Sequence, residues 1–374
     1  MFVGRRSGAV ALGAVAAVVQ VAIAATAPAQ GWPPVFGAEH STAVTVCGNS
    51  PTAEAIATGD FTGDGRADVA MTDLCGFGVR VLAGRGDGSF EPGRYLATGV
   101  LPDGITAGDL DSDGRTDLIV ANAIGDVVVL YGDGNGGFDH QARYFALGIA
   151  PGAIRIADFD RDGRPDFAVA ATPSTLSRNN GDRTFTPTSL LTGFASVGLE
   201  TADFDADGNP DIVVAGGFPV VLNVLYGNGN GTFGRGRTLL APELIQEAIR
   251  VADLDGDGRA DIVGVTSLGG INVWMGGEDG PRQSNWTIGT PGNAGLALAD
   301  FDGDGRTDLV TADSITLHIT LWRGDGAGGF ARAEWHSAPA TVESVEPVDL
   351  DGDGALDLVA APMVGPWLSA YLHN

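Results

Sequence analysis

A nine-residue acidic loop occurs seven times along this chain, and the repeat limits the possible folds more than any other feature. In the copy at residues 158–166, Asp occupies positions 1, 3, 5 and 9, Gly occupies position 6, and a large apolar residue occupies position 2. The seven copies begin at Asp60, Asp109, Asp158, Asp203, Asp253, Asp300 and Asp349. Successive copies start 45 to 50 residues apart, so the repeating unit is a supersecondary structure.

The spacing of the acids predicts a metal site in each loop. Carboxylates at alternate positions of a tight turn can point at one centre, where they repel one another strongly unless a cation lies between them. Several oxygen ligands in a flexible loop suit Ca²⁺ better than Mg²⁺, which keeps more of its waters. The alternative is a set of Asp- and Gly-rich turns without an ion. Seven copies argue against that alternative, since only Thr62, at position 3 of the first copy, departs from the acidic pattern.

The residues around the loops predict strands rather than the helices of an EF-hand. An EF-hand requires a bidentate Glu at position 12, where this chain has residues such as Met71 and Val120. Short apolar runs at residues 154–157 and 167–171 flank the third loop. We therefore expect each loop to join two β-strands.

Two motifs connect the repeat to a known family. Each loop opens with a triplet such as Gly59-Asp60-Phe61, and several repeats continue into a Gly-x-Gly-x-Gly-x-Phe hairpin, as at residues 132–138 and 227–233. With these motifs the chain resembles the FG-GAP or VCBS repeat family, which includes the calcium-binding blades of the integrin α-subunit head. The resemblance covers residues 30–374. It implies an all-β fold, a seven-bladed β-propeller of four-stranded antiparallel blades, with up to seven bound Ca²⁺ ions.

The resemblance also implies which residues hold the ions. Positions 1, 3, 5 and 9 would supply side-chain oxygens, and position 7, which varies among Arg, Asn and Ala, would supply only its backbone carbonyl. The implied ligands are Asp60, Thr62, Asp64, Arg66, Asp68, Asp109, Asp111, Asp113, Arg115, Asp117, Asp158, Asp160, Asp162, Arg164, Asp166, Asp203, Asp205, Asp207, Asn209, Asp211, Asp253, Asp255, Asp257, Arg259, Asp261, Asp300, Asp302, Asp304, Arg306, Asp308, Asp349, Asp351, Asp353, Ala355 and Asp357.

The two ends of the chain predict that the ring is closed by an N-terminal strand. The last repeat stops after its third strand, at residues 367–372, and Phe36 aligns with the hairpin residue Phe138. We therefore predict that residues 36–46 form the missing outer strand of the seventh blade, because terminal blades would otherwise expose free sheet edges. The alternative is an open array with a loose N-terminal arm.

Two repeats depart from the common pattern. Residues 175–185 of the third repeat are shortened and polar, which predicts a frayed third strand. The fifth repeat lacks the hairpin Phe, and Trp286 is expected to fill its place.

The charge of the chain excludes some classes of partner. The formal net charge is −26, and most of the 47 acidic residues belong to the loops. Seven bound Ca²⁺ ions would offset about half of this charge. The acidity argues against nucleic acid and anionic membrane surfaces as partners.

The first 29 residues match a secretory signal peptide. Arg5-Arg6 precedes an apolar run at residues 9–25, and an Ala-Pro-Ala cleavage site ends at Ala29. We expect cleavage there and a secreted or cell-surface protein, monomeric over residues 30–374. An uncleaved anchor is the alternative, because the run nearly reaches the length that spans a bilayer.

The chain contains two cysteines, Cys47 and Cys75. By the repeat alignment, one precedes the first strand of its blade and the other follows the second strand. Both would then lie on the rim opposite the acidic loops, which favours a disulfide in an exported protein. The alternative is two unrelated small core residues.

Function is expected on the face opposite the acidic loops, where the connecting loops vary in length and composition. These loops carry apolar residues that can stack on sugars or anchor a protein partner, or else fill gaps between the blades. They include Phe77, Phe194, Phe218, Met363 and Trp367. The predicted function is a non-catalytic binding or adhesion module for an extracellular protein or glycan.

Catalysis is the second hypothesis, as a secreted hydrolase or lyase that acts on a polysaccharide. The sequence contains no H-E-x-x-H and no G-x-S-x-G motif. Every dense carboxylate group belongs to a predicted metal loop, which leaves no spare acid pair at a readable spacing. A funnel of acids and arginines on the loop face would favour catalysis, whereas an apolar, aromatic face would favour binding.

Overall fold

The computed structural model describes residues 34–44, 53–145, 148–190, 196–216, 221–234, 236–240, 245–266, 270–288, 293–364 and 367–374. Within these ranges the chain forms seven sheets of four antiparallel strands each, which confirms the predicted all-β seven-bladed propeller. The described residues contain no helix that is long and apolar enough to cross a membrane. The predicted signal peptide lies outside the described residues.

Each blade runs from an inner strand, through a second and a third strand, to an outer strand. The inner strands are β2 (Ile56–Gly59), β6 (Pro102–Gly108), β10 (Ile154–Ala157), β14 (Ser196–Ala202), β18 (Ile245–Ala252), β22 (Asn293–Ala299) and β26 (Thr341–Val348). The second strands are β3 (Asp68–Asp73), β7 (Asp117–Asn122), β11 (Asp166–Val169), β15 (Asp211–Gly216), β19 (Asp261–Thr266), β23 (Asp308–Asp313) and β27 (Asp357–Val364). The third strands are β4 (Gly78–Leu82), β8 (Asp126–Gly132), β12 (Ser174–Asn179), β16 (Val221–Leu225), β20 (Ile271–Met275), β24 (His318–Gly324) and β28 (Trp367–His373). The outer strands are β5 (Arg94–Ala97), β9 (Phe138–Phe145), β13 (Phe185–Leu190), β17 (Arg237–Leu240), β21 (Arg282–Ile288), β25 (Phe330–Ser337) and, for the seventh blade, β1 (Phe36–Ala43).

The hydrophobic core lies between neighbouring blades. Second strands such as β7 are buried along their whole length, as their continuous apolar runs require when both faces of a sheet are covered. One cluster joins Val79 and Val81 of the first blade to Leu118 and Val120 of the second. Each blade therefore stabilises the next, and the core forms a ring rather than a single centre.

The N-terminal strand closes the ring as predicted. β1 pairs antiparallel with β28, with Glu39 opposite Tyr371 and Ala43 opposite Trp367, and this makes it the outer strand of the seventh blade. The open array with a loose arm is therefore wrong. The carboxylate of Glu334 in the sixth blade accepts hydrogen bonds from the backbone N–H groups of Val35 and Phe36, both at 3.0 Å.

The third strand of the third blade is ordered, and the expectation that it frays was wrong. β12 pairs along its length with β13 and along three residues with β11. Its polar residues are satisfied inside the protein: the Asn179 side chain donates to the carbonyl oxygens of Leu110, at 2.7 Å, and Pro165, at 3.0 Å. The side chain of Trp286 lies outside the described set, so its predicted role stays a prediction.

Replacement of Phe36 by Ala tests the strand that closes the ring. The Phe36 ring is buried and packs edge-on against Phe301, with ring centroids 5.5 Å apart. Removing a buried aromatic ring leaves a cavity, so we expect Phe36→Ala to lower the free energy of unfolding by about 3–5 kcal/mol in urea denaturation. His40→Ala, at an exposed position of β1, is the control and should change it by less than about 0.5 kcal/mol. Equal effects of the two variants would contradict the role of Phe36.

Candidate metal centres

The seven acidic loops connect inner to second strands and lie on one face of the ring. The Asp at position 9 begins the second strand and is buried in every blade. Its two carboxylate oxygens accept backbone N–H groups from different segments: for Asp211, Phe204 at loop position 2 and Gly227 just after the third strand both donate at 2.7 Å. The loop is thereby fixed to both strands.

The aspartate at position 1 holds the turn itself. In the third loop, Asp158 accepts hydrogen bonds from the N–H groups of Asp162, at 3.1 Å, and Gly163, at 2.9 Å. Gly163 has a φ of +83°, a left-handed conformation that glycine adopts without steric cost. The sharp reversal predicted at position 6 is confirmed.

Positions 1, 3 and 9 converge on a common centre. In the loops that begin at Asp109, Asp158, Asp203 and Asp253, one oxygen from each of these three side chains lies within 4.8 Å of the others. In the loop that begins at Asp300, the group consists of positions 1, 3 and 5. The Oδ1 atoms of Asp111 and Asp160 at position 3 are buried without a hydrogen-bond partner. A cation at the centre would satisfy such oxygens, so these loops can hold metal ions.

The aspartate at position 5 also makes contacts within its own loop. Its carboxylate accepts the N–H of position 7, as in Asp162 and Arg164 at 3.0 Å, and the Arg164 guanidinium pairs with its outer oxygen. The same pairing joins Arg306 to Asp304. Sequence reasoning assigned position 7 only a backbone role and missed this ion pair. The sequence feature that indicates this ion pair is the arginine found at position 7 in five of the seven loops.

Burial makes the position-9 carboxyl groups weak acids. Desolvation raises the pKa of five of them to about 6, opposed by the two backbone N–H groups that each accepts and reinforced by neighbouring carboxylates. These five are Asp117, Asp166, Asp211, Asp261 and Asp308. The pKa values of Asp68 and Asp357 are raised for the same reason. Protons and a cation therefore compete for these sites.

A second charged group, which sequence reasoning missed, lies on the axis of the ring. Arg155, Glu200, Arg250 and Glu346 each stand three residues before an acidic loop, so they occupy equivalent places on four inner strands. Arg155 donates to both oxygens of Glu200, while Arg250 lies 3.5 Å from Glu200 and 3.1 Å from Glu346. The network joins the third, fourth, fifth and seventh blades. An alignment of the seven repeats shows charged residues at this position in four of them, and this is the sequence signal for the network.

A cavity of about 320 Å³ lies beside this network, where the first two blades have Ala57 and Thr106 at the equivalent positions. Glu200 and Glu346, the two carboxylates that line it, are both paired with guanidinium groups.

In the part of the chain that the structure describes, the face opposite the acidic loops exposes hydrophobic side chains. Nine large hydrophobic side chains that are exposed lie in its turns and at its strand ends, and we call this set the apolar face. It consists of Phe77, Val100, Leu101, Ile124, Ile149, Leu240, Ile315, Leu317 and Trp367. Among the described residues, the other exposed large hydrophobic side chains are Tyr95 and Trp335 on outer strands.

The acidic residues in the turns of this face are turned inward. Asp73 is buried and accepts hydrogen bonds from the Gly76 N–H, at 2.8 Å, and from Arg80, at 3.0 Å. Asp126 is buried against Arg143, and Asp313 caps its turn by accepting the Ile315 N–H at 2.8 Å. These three acids therefore add little exposed charge to the described part of this face.

Two of the five loop residues selected from the sequence are exposed on this face. Phe77 is 49% exposed and Trp367 is 41% exposed, which makes both available for contact. Phe194, Phe218 and the side chain of Met363 lie outside the described set. Cys75 lies in the turn between β3 and β4, and since Cys47 is also outside that set, the disulfide stays a prediction.

A comparison with known protein families matches the repeated segments of this chain. A family model described as FG-GAP-like repeat matches residues 60–120, 109–169, 203–264, 253–311 and 300–360. A comparison with curated protein sequences finds no match.

Two similar structures are lectins. One is a lectin of Agrocybe aegerita that recognises non-reducing terminal N-acetylglucosamine, with 22% identity, 77% of this chain and 81% of that chain covered, and a TM-score of 0.54. Another is the BP39L lectin of Burkholderia pseudomallei, with 16% identity and a TM-score of 0.66. That match covers 85% of this chain and 98% of the lectin chain. A third similar structure is BBS1N, determined in complex with ARL6DN, with 12% identity and a TM-score of 0.64. That match covers 91% of this chain and 97% of the BBS1N chain. At these identities the likeness shows the fold alone.

Glu200→Gln tests the network on the axis. The amide cannot neutralise Arg155 and Arg250, so two half-buried guanidinium groups lose their shared partner. We expect a loss of about 3–5 kcal/mol in the free energy of unfolding, measured by urea denaturation. Glu278→Gln removes the same charge at an exposed position and should change it by less than about 0.5 kcal/mol. A Glu200→Gln variant as stable as this control would show that the network contributes nothing to stability.

Proposed function

Because the chain belongs to the FG-GAP-like repeat family, whose model matches more than half of its length, we propose that it is a secreted, calcium-stabilised binding module. It recognises an extracellular protein or glycan with its apolar face. The observation that carries the proposal is the gathering of nine exposed hydrophobic side chains on one face of a ring whose charges lie mainly on the other. Exposed apolar patches of this kind mark interaction sites.

Calcium is the proposed ion because of the ligands that converge. The side chains that converge at positions 1, 3 and 9 are all aspartates, so the available ligand atoms are carboxylate oxygens. Hard oxygen ligands in a flexible loop favour Ca²⁺ over transition metals. The extracellular location rests on the N-terminal signal-peptide pattern and agrees with a medium in which calcium is abundant.

The backbone of the apolar face supports a binding role. Phe77, Leu101 and Leu317 are exposed and have φ values of +62°, +55° and +57°, a conformation that disfavours bulky side chains. Glycine would relieve this strain. Large apolar residues held there at a cost in stability are typical of a functional contact.

The lectin neighbours agree with a glycan as one class of partner. The aliphatic character of most of the apolar face agrees equally with a protein partner, whose interface would bury it. The cavity on the axis, lined by two acids and two arginines, agrees with the second hypothesis of a polysaccharide hydrolase or lyase, whereas the exposed hydrophobic side chains favour binding.

Removal of calcium tests the proposed ion and its pH dependence. An ion that binds only the folded chain stabilises it by about 2.7 kcal/mol per site at a hundredfold excess over Kd. EGTA should therefore lower Tm at pH 7.5, and excess Mg²⁺ should not restore it. An unchanged Tm would contradict occupied loops.

The effect of calcium should shrink at lower pH. Burial raises the pKa of carboxyls such as Asp117 from 3.8 to about 6, so in EGTA the folded chain holds more protons than the unfolded chain between these values. The stability contributed by this group in EGTA therefore falls as pH rises through that window. Calcium must displace those protons, so the Tm difference between calcium and EGTA should be larger at pH 7.5 than at pH 5.

Leu101→Gly tests the apolar face. The glycine relieves the positive φ but adds chain entropy to the unfolded state, and each effect is about 1 kcal/mol. We expect a Tm within a few degrees of the parent and a loss of binding to the partner found by glycan array or by pull-down from extracellular material. Trp335→Ala, on an outer strand, is the control for removal of an exposed hydrophobic side chain. Full binding by Leu101→Gly and loss by Trp335→Ala would place the site on the rim instead.

A further inference from the structure

An arginine outside the acidic loop contacts the position-3 aspartate in three of the seven blades. In the second blade, Nε and Nη2 of Arg183 both lie 2.6 Å from Oδ2 of Asp111. In the sixth, Nη1 of Arg323 lies 2.9 Å from Oδ2 of Asp302. In the third, Nη1 of Arg178 lies 3.9 Å from Oδ2 of Asp160. None of these arginines belongs to the nine-residue motif.

The guanidinium groups arrive by two different routes. Arg178 and Arg323 occupy equivalent places on third strands, each one residue before the N–H that binds the position-9 aspartate. In the second blade this place is taken by Tyr131. There Arg183 reaches back from the hairpin of the third blade, and its guanidinium stacks on the Tyr131 ring, 4.7 Å from the centroid.

Arg183 is held firmly in this position. Its carbonyl oxygen accepts hydrogen bonds from the hydroxyls of Tyr131, at 3.2 Å, and Tyr144, at 2.6 Å. Its φ is +64°, an unfavourable value for a residue with a long side chain. The surrounding contacts therefore fix a backbone that the residue would not choose by itself.

Within the position-3 aspartate the arginine contacts one carboxylate oxygen, and Arg183 also lies 3.8 Å from Oδ2 of Asp113 at position 5. Arg183 and Arg178 approach Oδ2, whereas Oδ1 of Asp111 and of Asp160 is buried and has no hydrogen-bond partner. The arginine thus leaves Oδ1 for the centre of the loop. A group that binds the outer atom of a metal ligand fixes its orientation before the ion arrives.

The other loops with Asp at position 3 lack this contact within the described residues. Asp205, Asp255 and Asp351 have no described arginine within 4.0 Å, and all three are exposed, whereas Asp111, Asp160 and Asp302 are partly buried. The first loop has Thr62 in place of the acid. The seven loops are therefore not equivalent.

We propose that Arg183, Arg178 and Arg323 are positioning residues for three of the metal centres, each of which directs the inner oxygen of its aspartate toward the cation. This inference rests on the calcium binding proposed above. Two effects oppose each other, since a guanidinium reduces the negative charge of the site but also preorganises it. We expect preorganisation to prevail, because within the position-3 aspartate the arginine contacts Oδ2 and leaves Oδ1 for the cation.

Calcium titration of the whole protein, by competition with a chromophoric chelator, tests the proposal. Arg183→Gln should weaken one site about tenfold, as loss of such a partner does at other metal sites. Arg282→Gln is the control: it removes the same charge from an exposed arginine whose ion-pair partner, Asp279, lies outside the acidic loops. It should leave the affinity of every site within about twofold of the parent. Tighter binding by Arg183→Gln would show that the arginine competes with the ion and would overturn the proposal.

Two further variants separate positioning from charge and from folding. Arg183→Lys keeps the charge but cannot place two nitrogens on Oδ2, so it should weaken the site nearly as much as Arg183→Gln. A wild-type affinity for Arg183→Lys would show a purely electrostatic role and overturn the proposal. In an Asp111→Asn background, Arg183→Gln should have no further effect on calcium binding. Thermal unfolding in EGTA checks that each variant folds.

The outcomes distinguish this inference from the calcium proposal itself. If the parent protein binds no calcium, both fail. If the parent binds calcium and Arg183→Gln leaves every site unchanged, only the positioning role fails.

Discussion

The hydrogen bonds of the buried position-9 aspartates are the interaction on which the rest of the structure depends. Each carboxylate accepts at least one N–H from the loop and one from the end of the third strand, as Asp308 does from Phe301 and Gly324. A buried carboxylate is stable only when both of its oxygens are satisfied. This requirement folds the loop back over its own blade and fixes where the third strand ends. Repeated in seven blades, it brings all the acidic loops to one face.

The separation of the two faces follows from this arrangement. The loops gather most of the negative charge on one side, where a cation would offset the repulsion among the acids. On the other side, carboxylates such as Asp73 and Asp313 turn inward to cap turns, which leaves aliphatic side chains at the surface. The described residues therefore give the ring one acidic face and one face with exposed hydrophobic side chains. The proposed function uses each for a different purpose.

On the axis of the ring, the seven blades differ from one another in the residue at one equivalent position. One position, three residues before each loop, carries Arg155, Glu200, Arg250 and Glu346 in four blades and smaller residues in the other three. The charged residues join non-neighbouring blades, while Ala57 and Thr106 leave room for the cavity. The acidic loops differ in a similar way, because an arginine outside the loop contacts some position-3 aspartates and, within the described residues, not others. A repeat fold thus acquires unequal sites through residues outside its motif.

The sequence by itself determined the number of blades, the position and turn of each acidic loop, and the strand that closes the ring. These features follow from spacing and local composition, which are read directly along the chain. Tertiary structure alone decided the contacts between distant residues. Asn179 keeps the third strand of its blade ordered by reaching Leu110 in the neighbouring blade, and Arg183 meets Asp111 across 72 positions. Such pairs cannot be read from the sequence, because they depend on how closely adjacent blades approach once the ring has closed.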